Sequence, residues 1–180
     1  MRTFVYSLRL VAFLIVAGGA VSSCLSPPDY PDAPSIGDAR AEPMRVGTGG
    51  ARRDSVRLTV SYQDGNGDLG LATGDTSGVY TFRGGNRNYF NYFLQPYVKN
   101  AQGTFQPVST AKLGEYNGRF PRITADGAKA APVKGTLTYT QNFFLGAPFR
   151  PGQEVRFVIS IQDRGLHESN QVTTNSFVIP

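Results

Sequence analysis

Strict alternation of apolar and polar side chains is the feature of this chain that most limits its fold. Residues 55–63 and 154–162 carry an apolar side chain at nearly every second position, and residues 133–140 repeat the pattern. Successive side chains of a strand point to opposite faces, so this period predicts strands with one buried and one solvated face. The residues predicted to be buried are Val56, Leu58, Val60, Tyr62, Val133, Leu137, Tyr139, Val155, Phe157, Ile159 and Ile161.

Shorter patterns predict further strands at Val79–Phe82, Tyr89–Lys99, Thr104–Val108 and Gln171–Ile179. Clusters of Gly, Pro, Asn and Asp separate these segments, and residues 114–131 have the composition of a long irregular connection. After residue 23, no segment of ten or more residues has helical spacing. About seven short strands with frequent turn signals predict an all-β fold, an antiparallel β-sandwich of the immunoglobulin or fibronectin III kind.

The first 23 residues have the organisation of an export signal. Arg2 and Arg9 flank the start of an apolar run, Leu10–Ala20, that ends in small residues. The run is about 11 residues long, whereas a transmembrane anchor, the alternative interpretation, needs roughly 20. The residues Val21-Ser22-Ser23-Cys24 resemble the lipobox of bacterial lipoproteins, which implies cleavage before Cys24 and lipidation of that cysteine with palmitate. Because Cys24 is the only cysteine, no intramolecular disulfide can form.

Residues 24–53 are poor in large apolar side chains and rich in Pro and Gly. Such a segment buries too little surface to order itself, so we expect a flexible tether, or a segment that folds on a partner. The domain is then expected at residues 54–180 as a single unit. Since the chain would enter the domain at residue 54, we expect the start of the strand at 55–63 to face the membrane and residues 64–70 to point away from it.

An acidic, glycine-rich loop, Asp64-Gly65-Asn66-Gly67-Asp68-Leu69-Gly70, follows the clearest strand. Oxygen-bearing side chains at positions 64, 66 and 68 can converge if Gly65 and Gly67 turn the backbone through positive φ. The pattern predicts a Ca²⁺ site with Asp64, Asn66 and Asp68 as ligands. The loop departs from the EF-hand, because Leu69 and Asp75 stand where that loop has glycine and glutamate. The alternative is a tight turn whose side chains cap their own backbone.

The order of these features resembles small lipoproteins of unknown function from Bacteroidota. The resemblance rests on the lipobox, the Pro-rich segment, the acidic loop, an aromatic strand and a near-terminal motif at residues 161–170, Ile-Gln-Asp-Arg-Gly-Leu-His-Glu-Ser-Asn. It implies an immunoglobulin-like β-sandwich on the outer membrane and implies no activity. Leu25 agrees with this location, since an Asp after the lipidated cysteine would favour retention at the inner membrane.

Charge and residue inventory limit the functions that remain. The 18 basic residues include Arg2 and Arg9, so a chain without residues 1–23 has 16 basic and 13 acidic residues. They are scattered, which argues against a nucleic-acid partner. The interpretation we favour is a non-enzymatic binding or structural module whose partner is an envelope protein or glycan. The alternative is a small envelope hydrolase with paired carboxylates, Asp64 or Asp68 with Asp163 or Glu168.

Overall fold

The computed structural model describes residues 28–109 and 114–180, so the export signal and Cys24 lie outside the described residues. The fold is all-β, with two antiparallel sheets. The strands are β1 (Ser35–Val46), β2 (Arg53–Asp64), β3 (Tyr92–Lys99), β4 (Phe105–Pro107), β5 (Val133–Phe144), β6 (Glu154–Ile161), β7 (Val172–Thr173) and β8 (Phe177–Val178). Helical structure in these ranges consists of short 3-10 turns, and none of it has the length and hydropathy of a membrane span.

The first sheet has the order β1-β2-β5, and the second has the order β4-β3-β6-β7, with β8 also paired to β6. Both sheets contribute to one core, because the alternating apolar faces of β2, β3 and β6 point inward. Phe157 and Ile159 are fully buried, as are Leu58 and Val60. The predicted buried faces of β2 and β6 are confirmed, although Tyr62 is only partly buried. On β5, Leu137 and Tyr139 are partly buried and pack against the same core.

Strand β1 corrects the predicted boundary between tether and domain. Composition predicts a flexible tether over residues 24–53, but Ser35–Val46 forms a strand of 12 residues that pairs with β2 along its length. Its register shifts between Gly37 and Arg40, and Asp38 has a φ of +47° there. A bulge adds one residue and so reverses the face that the later residues of a strand occupy. For this reason the two buried hydrophobic side chains of β1, Ile36 and Ala41, are separated by an odd number of positions. This hides the alternation in the sequence.

Two further strand predictions differ from the structure. Residues 78–80 form a 3-10 turn, so the strand predicted at Val79–Phe82 is wrong. Glycines before and after this segment, Gly78 and Gly84, adopt positive φ, which breaks an extended run. The strand predicted at Gln171–Ile179 is divided into β7 and β8, which pair with different parts of β6.

One end of the two sheets collects most of the long loops. Ser35 pairs with Gln63 and Asp64 pairs with Val133 in the first sheet, while Tyr92 pairs with Ile161 in the second. We call this end the entry pole, because β1 begins there. The chain thus enters the domain beside Asp64, and the expected polarity is reversed: residues 64–70 lie at the pole where the N-terminal segment arrives. The physical reason is the added antiparallel strand β1.

Candidate metal centre

Three aspartates from two distant parts of the chain meet at the entry pole. Asp64 is the last residue of β2, and Asp163 follows the end of β6. Leu69 forms an isolated antiparallel bridge with Asp163, and the N–H of Arg164 donates to the carbonyl oxygen of Asp68 at 3.3 Å. These backbone contacts bring the acidic loop against the loop that follows β6.

The carboxylates are close enough to share one ion. One carboxylate oxygen from each of Asp64, Asp68 and Asp163 lies within 4.8 Å of the other two. Two oxygens that each lie about 2.4 Å from a Ca²⁺ ion can be no more than about 4.8 Å apart, so the spacing fits a shared ion. Three oxygens supplied by carboxylates are the donor type that a hard cation prefers.

Burial makes this cluster unusual for carboxylates that have no cation. Asp64 is fully buried and Asp163 is 2% exposed. Oδ1 of Asp64 and Oδ1 of Asp68 are buried without a hydrogen-bond partner among the described residues. A buried carboxylate oxygen without a donor loses its hydration and gains nothing in return, so it costs free energy unless a cation or proton compensates.

The same burial and crowding shift the ionisation of the cluster. Loss of hydration, with the nearby charge of Asp68 second, raises the pKa of Asp64 to about 6. Burial and the charge of Asp163 raise the pKa of Asp68 as well. Both causes act against the charged form, as expected for carboxylates that share a site. Without a cation, the cluster therefore keeps a proton up to a higher pH than an ordinary aspartate does.

Asn66, a ligand in the sequence prediction, is engaged in the turn. Its Oδ1 accepts the N–H of Asp68 at 3.0 Å, and Oδ2 of Asp64 accepts the same N–H at 3.1 Å. This is the side-chain capping expected of an Asp-Gly/Asn-Gly turn under the alternative interpretation. The third carboxylate of the cluster is Asp163, which the sequence suggested only as part of the hydrolase alternative.

The two glycines of the loop act in different ways. Gly67 has a φ of +71°, as predicted from the sequence. Gly65 is not among the residues with positive φ; a Cβ there would lie 2.2 Å from the carbonyl oxygen of Tyr30. Gly65 is therefore required because the N-terminal segment passes directly over the loop.

Asp163 is held from its outer side by His167. The backbone N–H of His167 donates to Oδ1 of Asp163 at 2.7 Å, and ring Nδ1 lies 2.8 Å from Oδ2. This contact raises the pKa of His167. Carboxylates that bind metals are commonly hydrogen-bonded by a further residue, and His167 would have this role for Asp163.

The paired carboxylates of the hydrolase alternative do not line either of two surface pockets in the described part of the chain. One is lined by Arg87, Phe93 and Ser160 with their neighbours, and the other by Ser35, Tyr62 and Lys134 with theirs. Glu168, the other carboxylate of that alternative, is paired with Arg87 at 2.8 Å.

The loop after β6 could have been found from the sequence only through strand parity. Whether residues 163–170 reach the pole of residues 64–70 depends on whether the number of strands between them is odd or even, and this number is known only when every strand is recognised.

A comparison with known protein families, characterised proteins and solved structures finds no match for this chain.

Proposed function

We propose that this protein is a non-enzymatic module of the cell envelope, held on the outer membrane by lipidated Cys24, whose domain is a β-sandwich of the immunoglobulin or fibronectin III kind. We further propose that the domain binds a divalent cation, Ca²⁺, between Asp64, Asp68 and Asp163. The observation that carries the cation proposal is Oδ1 of Asp64, a fully buried carboxylate oxygen without a hydrogen-bond partner in the described residues.

The electrostatics support a cation over a purely structural turn. A turn that only caps its own backbone needs Asp64 and Asn66, whose side chains accept the N–H of Asp68. It does not need a third carboxylate within 4.8 Å, because like charges at that distance repel. A bound Ca²⁺ converts this repulsion into attraction and supplies a partner for both unpaired oxygens.

Arg164 is the competing source of positive charge. It lowers the pKa of Asp68, yet it forms no ion pair within 4.0 Å in the described residues, and its Nη1 is buried without a partner. The cluster therefore keeps a net negative charge, which favours an added cation.

We propose that the partner of the module is an envelope protein or a glycan. Capture from the native envelope with the purified module identifies it.

Thermal unfolding of the purified full-length protein in detergent tests the cation site. A ligand that binds only the native state stabilises it by mass action. Extracellular calcium modules have a Kd of about 10⁻⁴–10⁻³ M, so Ca²⁺ at about 10 mM should stabilise the domain by roughly 1.4–2.7 kcal/mol. The expected result is a Tm several degrees higher in Ca²⁺ than in EDTA.

Variants distinguish the ligands predicted from the sequence, which include Asn66, from the cluster in the structure, which has Asp163 in its place. Asp64→Asn and Asp163→Asn should abolish the effect of Ca²⁺, whereas Asn66→Ala should lower the Tm in EDTA and leave the Ca²⁺ effect intact. Asp29→Asn, an exposed aspartate near the same pole, is the matched control and should keep the full effect. A metal-free protein whose Tm is the same in Ca²⁺ and EDTA would refute the cation site.

A further inference from the structure

The N-terminal segment reaches the domain beside the acidic loop and leaves little chain for a tether. The N–H of Gly65 donates to the carbonyl oxygen of Pro31 at 2.9 Å. Pro31 stands seven residues after Cys24, a span of at most about 24 Å when fully extended. A lipid on Cys24 would therefore hold the entry pole close to the bilayer surface.

A second loop lies at the same pole and is linked to the aspartate cluster. The hydroxyl of Tyr80 donates to the carbonyl oxygen of Arg164 at 2.6 Å, and Arg164 in turn donates its N–H to Asp68. We call residues 76–90 the aromatic loop. It begins after Asp75, which pairs with Arg122, and ends shortly before β3.

The aromatic loop exposes apolar side chains, one of which packs against neighbouring aromatic rings. Val79 is 52% exposed and Phe82 is 62% exposed. The ring of Phe82 packs edge-on against Tyr89, with centroids 4.8 Å apart, and lies 6.4 Å from Phe90. Exposed apolar side chains that are grouped in one loop, unlike those scattered singly, are a feature of surfaces that contact a membrane or a partner.

The charge of this loop is of one sign. Residues 76–90 contain Arg83 and Arg87 and no acidic residue. Arg87 is paired with Glu168, while Arg83 is exposed and has no carboxylate within 4.0 Å in the described part of the chain. Apolar side chains beside an unpaired cation suit the boundary between lipid acyl chains and anionic headgroups.

We propose that the entry pole faces the membrane and that the aromatic loop docks on the lipid surface, with Val79 and Phe82 in the interface and Arg83 at the headgroups. This inference rests on the lipid anchor of the proposed function. A strand of 12 residues, the length of β5, spans roughly 40 Å. The opposite pole, with exposed Phe144, is then held about 40 Å farther from the bilayer.

Tryptophan fluorescence can test this orientation, because the chain contains no tryptophan. Phe82→Trp reports the aromatic loop, and Phe144→Trp is the matched control at the other pole, where the side chain is 81% exposed. Both replace exposed residues, so both should fold. Both proteins are expressed from the full-length sequence, so that any cleavage and lipidation takes place. They are then reconstituted into vesicles of phosphatidylethanolamine and phosphatidylglycerol, with or without brominated acyl chains, and flotation measures attachment.

The expected result is flotation of both variants, with a blue shift and quenching by brominated lipid for Phe82→Trp only. Flotation with both tryptophans unquenched, or with Phe144→Trp alone quenched, would overturn the orientation and leave the anchor standing. Failure of both variants to float would overturn the anchor and the docking together. Adding Phe82→Ala to a Val79→Trp reporter should reduce its quenching, and unchanged quenching would show that Phe82 does not dock.

Discussion

The side chain of Asn170 forms hydrogen bonds with both backbone groups of Ile36. The N–H of Ile36 donates to Oδ1 at 2.9 Å, and Nδ2 donates to the carbonyl oxygen of Ile36 at 2.9 Å. Asn175 repeats the arrangement with Ala41, at 2.9 and 3.1 Å. Each side-chain amide forms, with the outer edge of β1, the pair of hydrogen bonds that a residue of a neighbouring strand would form. They join the first sheet to the second at the edge where β7 and β8 lie.

Asn170→Ala should destabilise the domain by about 1–3 kcal/mol, because the amide and carbonyl of Ile36 lose their partners in a partly buried position. Chemical denaturation with a linear extrapolation measures the change. Asn142→Ala is the matched control: Asn142 is an exposed residue of β5, and a surface change of this kind stays within about 0.5 kcal/mol. Equal effects of the two substitutions would contradict a bridging role.

Phe157→Ala should cost about 3–5 kcal/mol of unfolding free energy, since removing a buried ring leaves a cavity. Phe157 is fully buried, and its ring lies 6.0–6.3 Å from those of Phe143, Phe149 and Phe177. Urea denaturation of both proteins measures the difference. A cost below that of an exposed substitution would show that the assigned buried face of β6 is incorrect.

Arg156 is not the simple surface residue that its polar position on β6 predicts. Its guanidinium carbon lies 4.1 Å from the centroid of the Phe105 ring, and Nε is buried without a partner in the described residues. Arg156→Ala should therefore cost about 0.5–1 kcal/mol through the lost cation–π contact and stem packing. The same denaturation assay applies. In a protein that already carries Phe105→Leu, the Arg156→Ala substitution should cost much less, and an unchanged cost would exclude the contact with the ring.

Cys24→Ser should release the protein from membranes, because a serine cannot be lipidated through a thioether. Cell fractionation followed by mass determination of the N-terminus measures both attachment and cleavage. Leu25→Ala, next to the modified residue, is the control and should stay membrane-bound. A Cys24→Ser protein that remains in the membrane with residues 1–23 attached would instead indicate a transmembrane anchor.

Asp75 should make stability depend on pH in the acidic range. The backbone N–H of Ala72 donates to its Oδ2 at 2.8 Å, and that bond, with the Arg122 contact second, lowers the pKa of Asp75 below its usual value. A carboxylate with a depressed folded pKa contributes stability above its unfolded pKa and loses that contribution as the pH falls through the folded value.

The stability difference between the native protein and Asp75→Asn should therefore be constant above about pH 5 and shrink as the pH falls below about pH 4. Denaturation at several pH values measures it. A difference that grows on acidification would reverse the assigned sign.

Local sequence determined the strands whose alternation is unbroken and the loop that follows them. In residues 55–63 and 154–162, the alternation of apolar and polar side chains alone shows which face is buried. The reason is that the two-residue period is a property of the strand itself. Asp64 and Asp68 could likewise be selected from spacing alone, since the loop that brings them together is local.

Tertiary structure decided the parts that depend on distant partners. A bulge between Gly37 and Arg40 interrupts the period of β1, and its outer edge is completed by the side chains of Asn170 and Asn175, so no local signal marks it as a strand. Because β1 is antiparallel to β2, the chain enters the domain beside Asp64 and not at the start of β2, as the sequence predicted. Asp163 joins Asp64 and Asp68 only because β2 and β6, which belong to different sheets and lie about one hundred residues apart in the chain, end at the same pole.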